Sequence, residues 1–204
     1  MIFLYILFSI TPAKAAFSSF VIPGSGDLLL GDKKRGACFM AAEAGIWLTY
    51  FDCNRQANKL DNRSRNFAAF YASANLGNQD KDYFDAMENY LTNIDYNETV
   101  KEYARRLYPD TLDAAAMQDR IEKRKEYIEE NSYTGPDAWN WQSVKMEDDY
   151  RDIRKAMRKN EQKASHMIGL ALANRTISLF TTYLFGKRVA VKVKENEVEV
   201  GFHF

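Results

Sequence analysis

Two apolar stretches of this chain each enclose a charge, and that limits the folds open to it. The first runs from Gly36 to Phe51 and holds Glu43; the second runs from Ala164 to Phe185 and holds Arg175. A basic cluster precedes each: Lys33, Lys34 and Arg35 in one case, the run from Arg151 to Lys163 in the other. A lone ionised side chain at mid-bilayer costs about 2.5–3.5 kcal/mol on insertion scales. Packing the two segments as antiparallel helices lets the charges meet. The pattern therefore predicts two helices in contact, with Glu43 and Arg175 as a structural pair that fixes their register. Asn174 and His166 are candidate members of the same network. The competing readings are an ion or proton path, and charges that point to water or headgroups.

The chain of 204 residues suits one domain, or one domain with an appendage. Its 28 basic and 28 acidic residues cancel, which removes any bulk electrostatic case for nucleic-acid binding. A mean hydropathy of −0.46 argues against many membrane passes and permits one or two membrane-associated helices on a polar body. Aromatic residues are 14% of the chain, enough for a packed core. At the start, Ile2 to Ile10 is apolar and Ala13-Lys14-Ala15 has the small-x-small form of a cleavage site, although no Lys or Arg precedes the apolar run. Residues 1–15 therefore read as a signal peptide, which places the chain in the cell envelope, at the inner membrane or in the periplasm.

Residues 16–53 comprise a glycine turn and the first apolar helix. Pro23-Gly24-Ser25-Gly26 and Gly31 predict tight turns and close backbone approach. A phosphate loop would need Gly-Lys-Ser/Thr, and Gly31-Asp32-Lys33 breaks that pattern. The helix expected from Gly36 to Lys59 begins with small residues that allow close packing. Trp47, Tyr50 and Phe51 stand where an interfacial aromatic belt would lie. Cys38 and Cys53 on that helix would be about 22 Å apart, too far for a disulfide.

Residues 54–141 form a polar, Tyr-rich helical insert, with helices expected over Arg63–Leu76, Asp80–Leu91, Glu98–Leu107 and Leu112–Glu129. Gly135-Pro136 breaks the series, and Asp137 could cap the last long helix, with Trp139 and Trp141 as its anchors. Residues 142–186 read as that helix, whose second half is the second apolar segment. Arg151, Arg154, Lys155 and Arg158 fall at i, i+3, i+4 and i+7, one basic stripe suited to solvent or to anionic headgroups.

Residues 187–204 switch to period two. A two-residue loop at Glu195-Asn196 would pair Lys194 with Glu197, Val193 with Val198, Lys192 with Glu199, Val191 with Val200 and Val189 with Phe202. This predicts a two-stranded antiparallel β-hairpin with one apolar face. The fold expected is thus mainly α: two long helices packed as a spine, a helical insert, and a C-terminal hairpin.

No chemical constellation stands out. Asn78, Asp80 and Asp82 alternate like a calcium loop, but Tyr83 and Asn89 occupy the positions that need Gly and Glu, so helix capping by Asp80 or Asp82 is the better reading. His166 and His203 lack a recognisable nucleophile partner. No catalytic, metal or cofactor residues are assigned, and no cofactor is expected.

Several of these elements together resemble uncharacterised bacterial envelope proteins known as domains of unknown function. The residues that carry the resemblance are Phe20-Val-Ile-Pro-Gly-Ser-Gly, Gly31, Arg35-Gly36, Ala42-Glu43-Ala44-Gly45-x-Trp47, Trp139-x-Trp141, Tyr150-x-x-x-Arg154 and Asn174-Arg175-x-x-Ser178. Asp27 stands where that family often has Gln. The resemblance implies membrane association and brings no catalytic residues. The expectation is a non-enzymatic, membrane-associated envelope component that presents its helical region to a protein partner, with membrane lipid as a second partner and no nucleic acid. The alternatives are a soluble periplasmic helical adaptor docked on a larger assembly, and a membrane enzyme or transport accessory using Glu43, His166 and Arg175.

Overall fold

Capping residues set most of the element boundaries. A computed structural model describes the backbone of residues 11–200 and the side chains of residues 11–188. The chain is mainly helical: α1 (Pro12–Val21), α2 (Ser25–Leu29), α3 (Lys33–Ala72), α4 (Lys81–Ala86), α5 (Asn93–Leu107), α6 (Ala114–Asn131), a 3-10 turn over Gly135–Asp137, and α7 (Val144–Val200). Thr11 caps α1 by accepting from the Lys14 amide, with Pro12 in the first turn. Asp80, Thr92 and Asp113 cap α4, α5 and α6 in the same way. Pro109 closely succeeds the end of α5, where a helix could not continue.

Three expectations change. The helix expected to end at Lys59 and the one expected from Arg63 are a single element, α3, because no Gly or Pro interrupts residues 46–76. Asp137 does not cap the last helix: its carboxylate accepts from Asn75 Nδ2 at 2.7 Å, and Ser143 sits at the start of α7, accepting from the Met146 amide. The β-hairpin is not formed within the described residues, where α7 continues through the expected strand and loop positions to Val200. A lone hairpin is marginal without something to cover its apolar face. Extending a helix already nucleated costs little per residue. The apolar run to Ile10, and Gly201–Phe204 with His203, lie outside the described residues. The expected cleavage motif Ala13-Lys14-Ala15 falls inside α1, with Ala15 buried.

The chain divides into two units, Met1–Arg55 with Asn160–Phe204, and Gln56–Lys159. The Gln56–Lys159 unit has an aromatic core of Tyr83, Phe84, Met87, Trp139, Trp141 and Tyr150, packed on Ala68 and Ala72 of α3. The polar tips of Trp139, Trp141 and Tyr150 all find partners. Trp139 Nε1 donates to the Tyr90 carbonyl at 3.0 Å, Trp141 Nε1 to Met87 at 2.9 Å, and the Tyr150 hydroxyl to Phe84 at 3.0 Å. The 139–142 strap also closes helix ends: Asn140 and Gln142 amides donate to the Ala72 and Tyr71 carbonyls that end α3.

The other unit is built on close backbone approach. Gly24 has φ +84°, and a Cβ there would overlap the Gly36 backbone. A Cβ on Gly26 would overlap the Ala15 carbonyl. Gly26→Ala should therefore cost about 3 kcal/mol in urea unfolding, because the obstacle is backbone and cannot rotate away. Gly45→Ala, at an exposed helical site with open space, should gain about 0.5–1 kcal/mol in the same measurement.

Candidate functional site

Charged and polar side chains gather at three nodes, two in the glycine-built unit and one in the aromatic unit; the node at Glu43 is half-buried and the other two centre on buried groups. The first centres on Asp27, whose side chain is 0% exposed. Arg35 Nη2 donates to Asp27 Oδ1 at 2.6 Å, and the Thr182 hydroxyl donates to the same oxygen at 2.8 Å. Thr182 Oγ1 and Ser19 Oγ are 2.9 Å apart, and Ser19 Oγ accepts from the Gly26 amide at 2.9 Å. A hydroxyl carries one proton, so these contacts fix its direction. Thr182 gives its proton to Asp27, so Ser19 must give its own to Thr182. The relay runs from the Gly26 amide through two hydroxyls to the carboxylate. Among the described residues, Asp27 Oδ2 and Arg35 Nε have no protein partner. The Arg35 guanidinium also stacks 4.2 Å from the centre of the Phe185 ring.

The second node centres on Glu43. Arg175 donates to Glu43 Oε1 through Nε at 3.0 Å and Nη2 at 2.9 Å. Trp47 Nε1 donates to the same oxygen at 2.9 Å, and Asn174 Nδ2 donates to Oε2 at 3.0 Å. Burial works to raise the Glu43 carboxyl, but the hydrogen bonds from Asn174, Trp47 and Arg175 outweigh it and hold the group below the usual carboxylate range. His166 stands apart from this network, on exposed surface.

These two nodes are aligned on α7. Asn174, Ser178, Thr182 and Gly186 recur every four residues, which puts them on one helix face. Asn174 meets Glu43, Ser178 Oγ accepts from the Gly24 amide at 2.9 Å, Thr182 meets Asp27, and a Cβ on Gly186 would crowd Pro12. The period-four recurrence is the one signal in the sequence that could have found this face. Asp27, Ser19 and Thr182 escape sequence reasoning, because each reads singly as an ordinary turn or helix residue.

The third node corrects the expectation for the basic stripe. Arg154 is 1% exposed and pairs with Asp85 and Glu88. Arg158 forks onto both oxygens of Glu88 at 2.6 and 2.9 Å. Arg151 pairs with Glu147 and Asp148 and donates to the Glu88 carbonyl. Of the four residues expected at headgroups, only Lys155 is fully on the surface without one of these carboxylates. The stripe is drawn inward because Glu88, itself buried, needs counter-charge. The adjacent Tyr150 hydroxyl is pushed up in pKa by burial, only partly offset by Arg154.

Chemically these nodes hold charge in place. Every carboxylate in them faces a guanidinium. Cys38 and Cys53 are free. Among the described residues no group of three His, Cys, Asp or Glu side chains could hold a metal ion.

In a double-mutant cycle, Glu43→Gln and Arg175→Gln should show a favourable coupling of about 0.5–2 kcal/mol; simple additivity would mean the pair is not coupled. Because the folded Glu43 carboxyl lies below its ordinary 4.5, its stabilisation is full above that value and is lost as pH falls through the lowered folded value. Glu43→Gln should therefore flatten the acid limb of the stability–pH curve. Arg154→Gln should cost about 3–5 kcal/mol, since it strands buried carboxylates, whereas Lys155→Gln should stay within about 0.5 kcal/mol.

No protein-family model matches the chain, and neither a curated protein nor a solved structure matches it.

Proposed function

We propose that the protein is a non-enzymatic component of the bacterial cell envelope, seated in a membrane by its glycine-built unit, with the Tyr-rich helical unit available to a protein partner. The observation that carries this reading is the inverted polarity of the glycine-built unit. Its buried side chains include Ser19, Asp27, Ser178 and Thr182, joined by hydrogen bonds. Its exposed side chains include Phe17 at 67%, Leu48 at 72% and Phe51 at 61%, with Ile168, Leu172, Ile177, Phe180 and Leu184 all above 50%. A surface of that kind facing water carries a large hydrophobic cost, and facing acyl chains it carries none. Small residues and hydroxyls between helices are the means by which helices associate where lipid removes the hydrophobic drive.

The non-enzymatic part of the reading rests on the carboxylates of Asp27, Glu43 and Glu88 each being engaged by an arginine. A second reading is a soluble periplasmic adaptor that docks the same apolar surface on a larger assembly; no helix among the described residues is long and apolar enough to cross a membrane. A seat that is shallow or enters one leaflet accommodates that fact.

Alkaline carbonate extraction of membranes from cells producing the full chain separates the two. Retention in the pellet is the expected result. Quantitative release into the supernatant would sink the membrane-seated reading in favour of the adaptor.

A further inference from the structure

The α1–α2 turn presents an apolar surface and bonds most of its backbone amides within the protein. On α1, Ala15, Ala16 and Ser19 face inward while Phe17, Phe20 and Val21, at i, i+3 and i+4, face outward. A helix that buries small residues and exposes Phe is the reverse of one packed on a water-soluble core. The pattern continues through the turn: Gly24, Gly26 and Asp27 are buried, and Ile22, Leu28 and Leu29 are exposed.

A chain reversal normally leaves amides for water to satisfy. Here they are satisfied from within. The Ile22 amide donates to the Ser18 carbonyl at 2.9 Å, Ser25 to Ile22 at 3.0 Å and Leu28 to Gly24 at 3.1 Å. Gly24 and Gly26 donate to the hydroxyls of Ser178 and Ser19. The part-buried hydroxyls of Ser18 and Ser25 bond each other at 2.7 Å. Irregular backbone is tolerated at membrane depth only when protein supplies its hydrogen bonds. Just outside the turn the surface becomes cationic, with exposed Lys14 before it and exposed Lys33 and Lys34 after it.

We infer that Phe17–Leu29 is a lipid-inserting wedge: its exposed apolar side chains enter the acyl region of one leaflet, and Lys14, Lys33 and Lys34 meet anionic headgroups. This rests on the membrane-seated reading and specifies which segment makes the contact. The occupant of the apolar face is lipid, because the adjacent lysines complement an anionic surface and the internally bonded amides lower the cost of leaving water.

The test uses the full chain carrying Cys38→Ala and Cys53→Ala, with Ile22→Cys labelled by an environment-sensitive fluorophore and Leu29→Cys as a second position should the first disturb folding. The protein is reconstituted into vesicles of phosphatidylcholine and phosphatidylglycerol in equal parts, floated, and challenged with nitroxide on the acyl chains or iodide in the water. The expected result is flotation, with several-fold stronger quenching by acyl nitroxide than by iodide. Flotation with quenching by iodide alone would overturn the wedge and leave the membrane seat standing. Flotation with neither quencher effective would show that protein covers the turn, and would also overturn it. Failure to float would remove the membrane seat and the wedge together. Lys33→Glu with Lys34→Glu should lower the floated fraction several-fold on the same vesicles and leave the acyl quenching of the remaining bound protein unchanged; a floated fraction equal to that of the parent chain would overturn the headgroup contact.

Discussion

The buried carboxylate of Asp27 is the constraint on which the glycine-built unit depends. A fully desolvated anion is tolerable only where donors are held against it. Here they come from widely separated parts of the chain, Arg35 on α3 and Thr182 on α7. Bringing them together requires the backbones of α1, α2 and α3 to approach more closely than a Cβ permits, hence glycine at 24, 26 and 36. The relay through Ser19 then satisfies the Gly26 amide that the tight turn frees. Charge, glycines and hydroxyls form one interdependent set, and replacing any one leaves another group unpaired.

The aromatic unit solves the burial of charge differently. Glu88 is held by two arginines on consecutive turns of α7, and the Tyr and Trp side chains around it donate to backbone carbonyls. Its core is apolar in the ordinary sense, with polar tips bonded at its margins. The two units thus place polarity in opposite ways, interior hydroxyls in one and an interior aromatic cluster in the other.

Much of this was legible in the sequence. The anomalous charges Glu43 and Arg175 marked two segments that do meet, at 2.9 Å, and the glycine run marked a close-packed turn. The cap at Asp80 was readable from local chemistry. What escaped was anything that depends on partners distant along the chain. Arg154 looked like part of a solvated stripe because its carboxylate, Glu88, lies 66 residues away. Asp27 looked like a turn residue because Thr182 lies 155 residues away. The tail misled for a different reason: β-branched alternation is a weak local preference, and helix propagation from a long existing helix outweighs it.

The low apolarity of each single helix and the apolar exterior of the glycine-built unit have a common cause. On α7 the face bearing Asn174, Ser178, Thr182 and Gly186 turns inward, while Ile168, Leu172, Ile177, Phe180 and Leu184 turn outward. Averaging along the helix mixes the two faces and gives a value too polar for a membrane span. Averaging around the unit separates them. A mean taken along the chain measures what a helix would expose if it stood alone, and none of these helices does. Once the polar face is closed against its neighbours, the surroundings meet only the remaining face, and on α1, α2, α3 and α7 that face carries Phe, Leu and Ile. The relevant solvent for the unit is decided by that assembled surface.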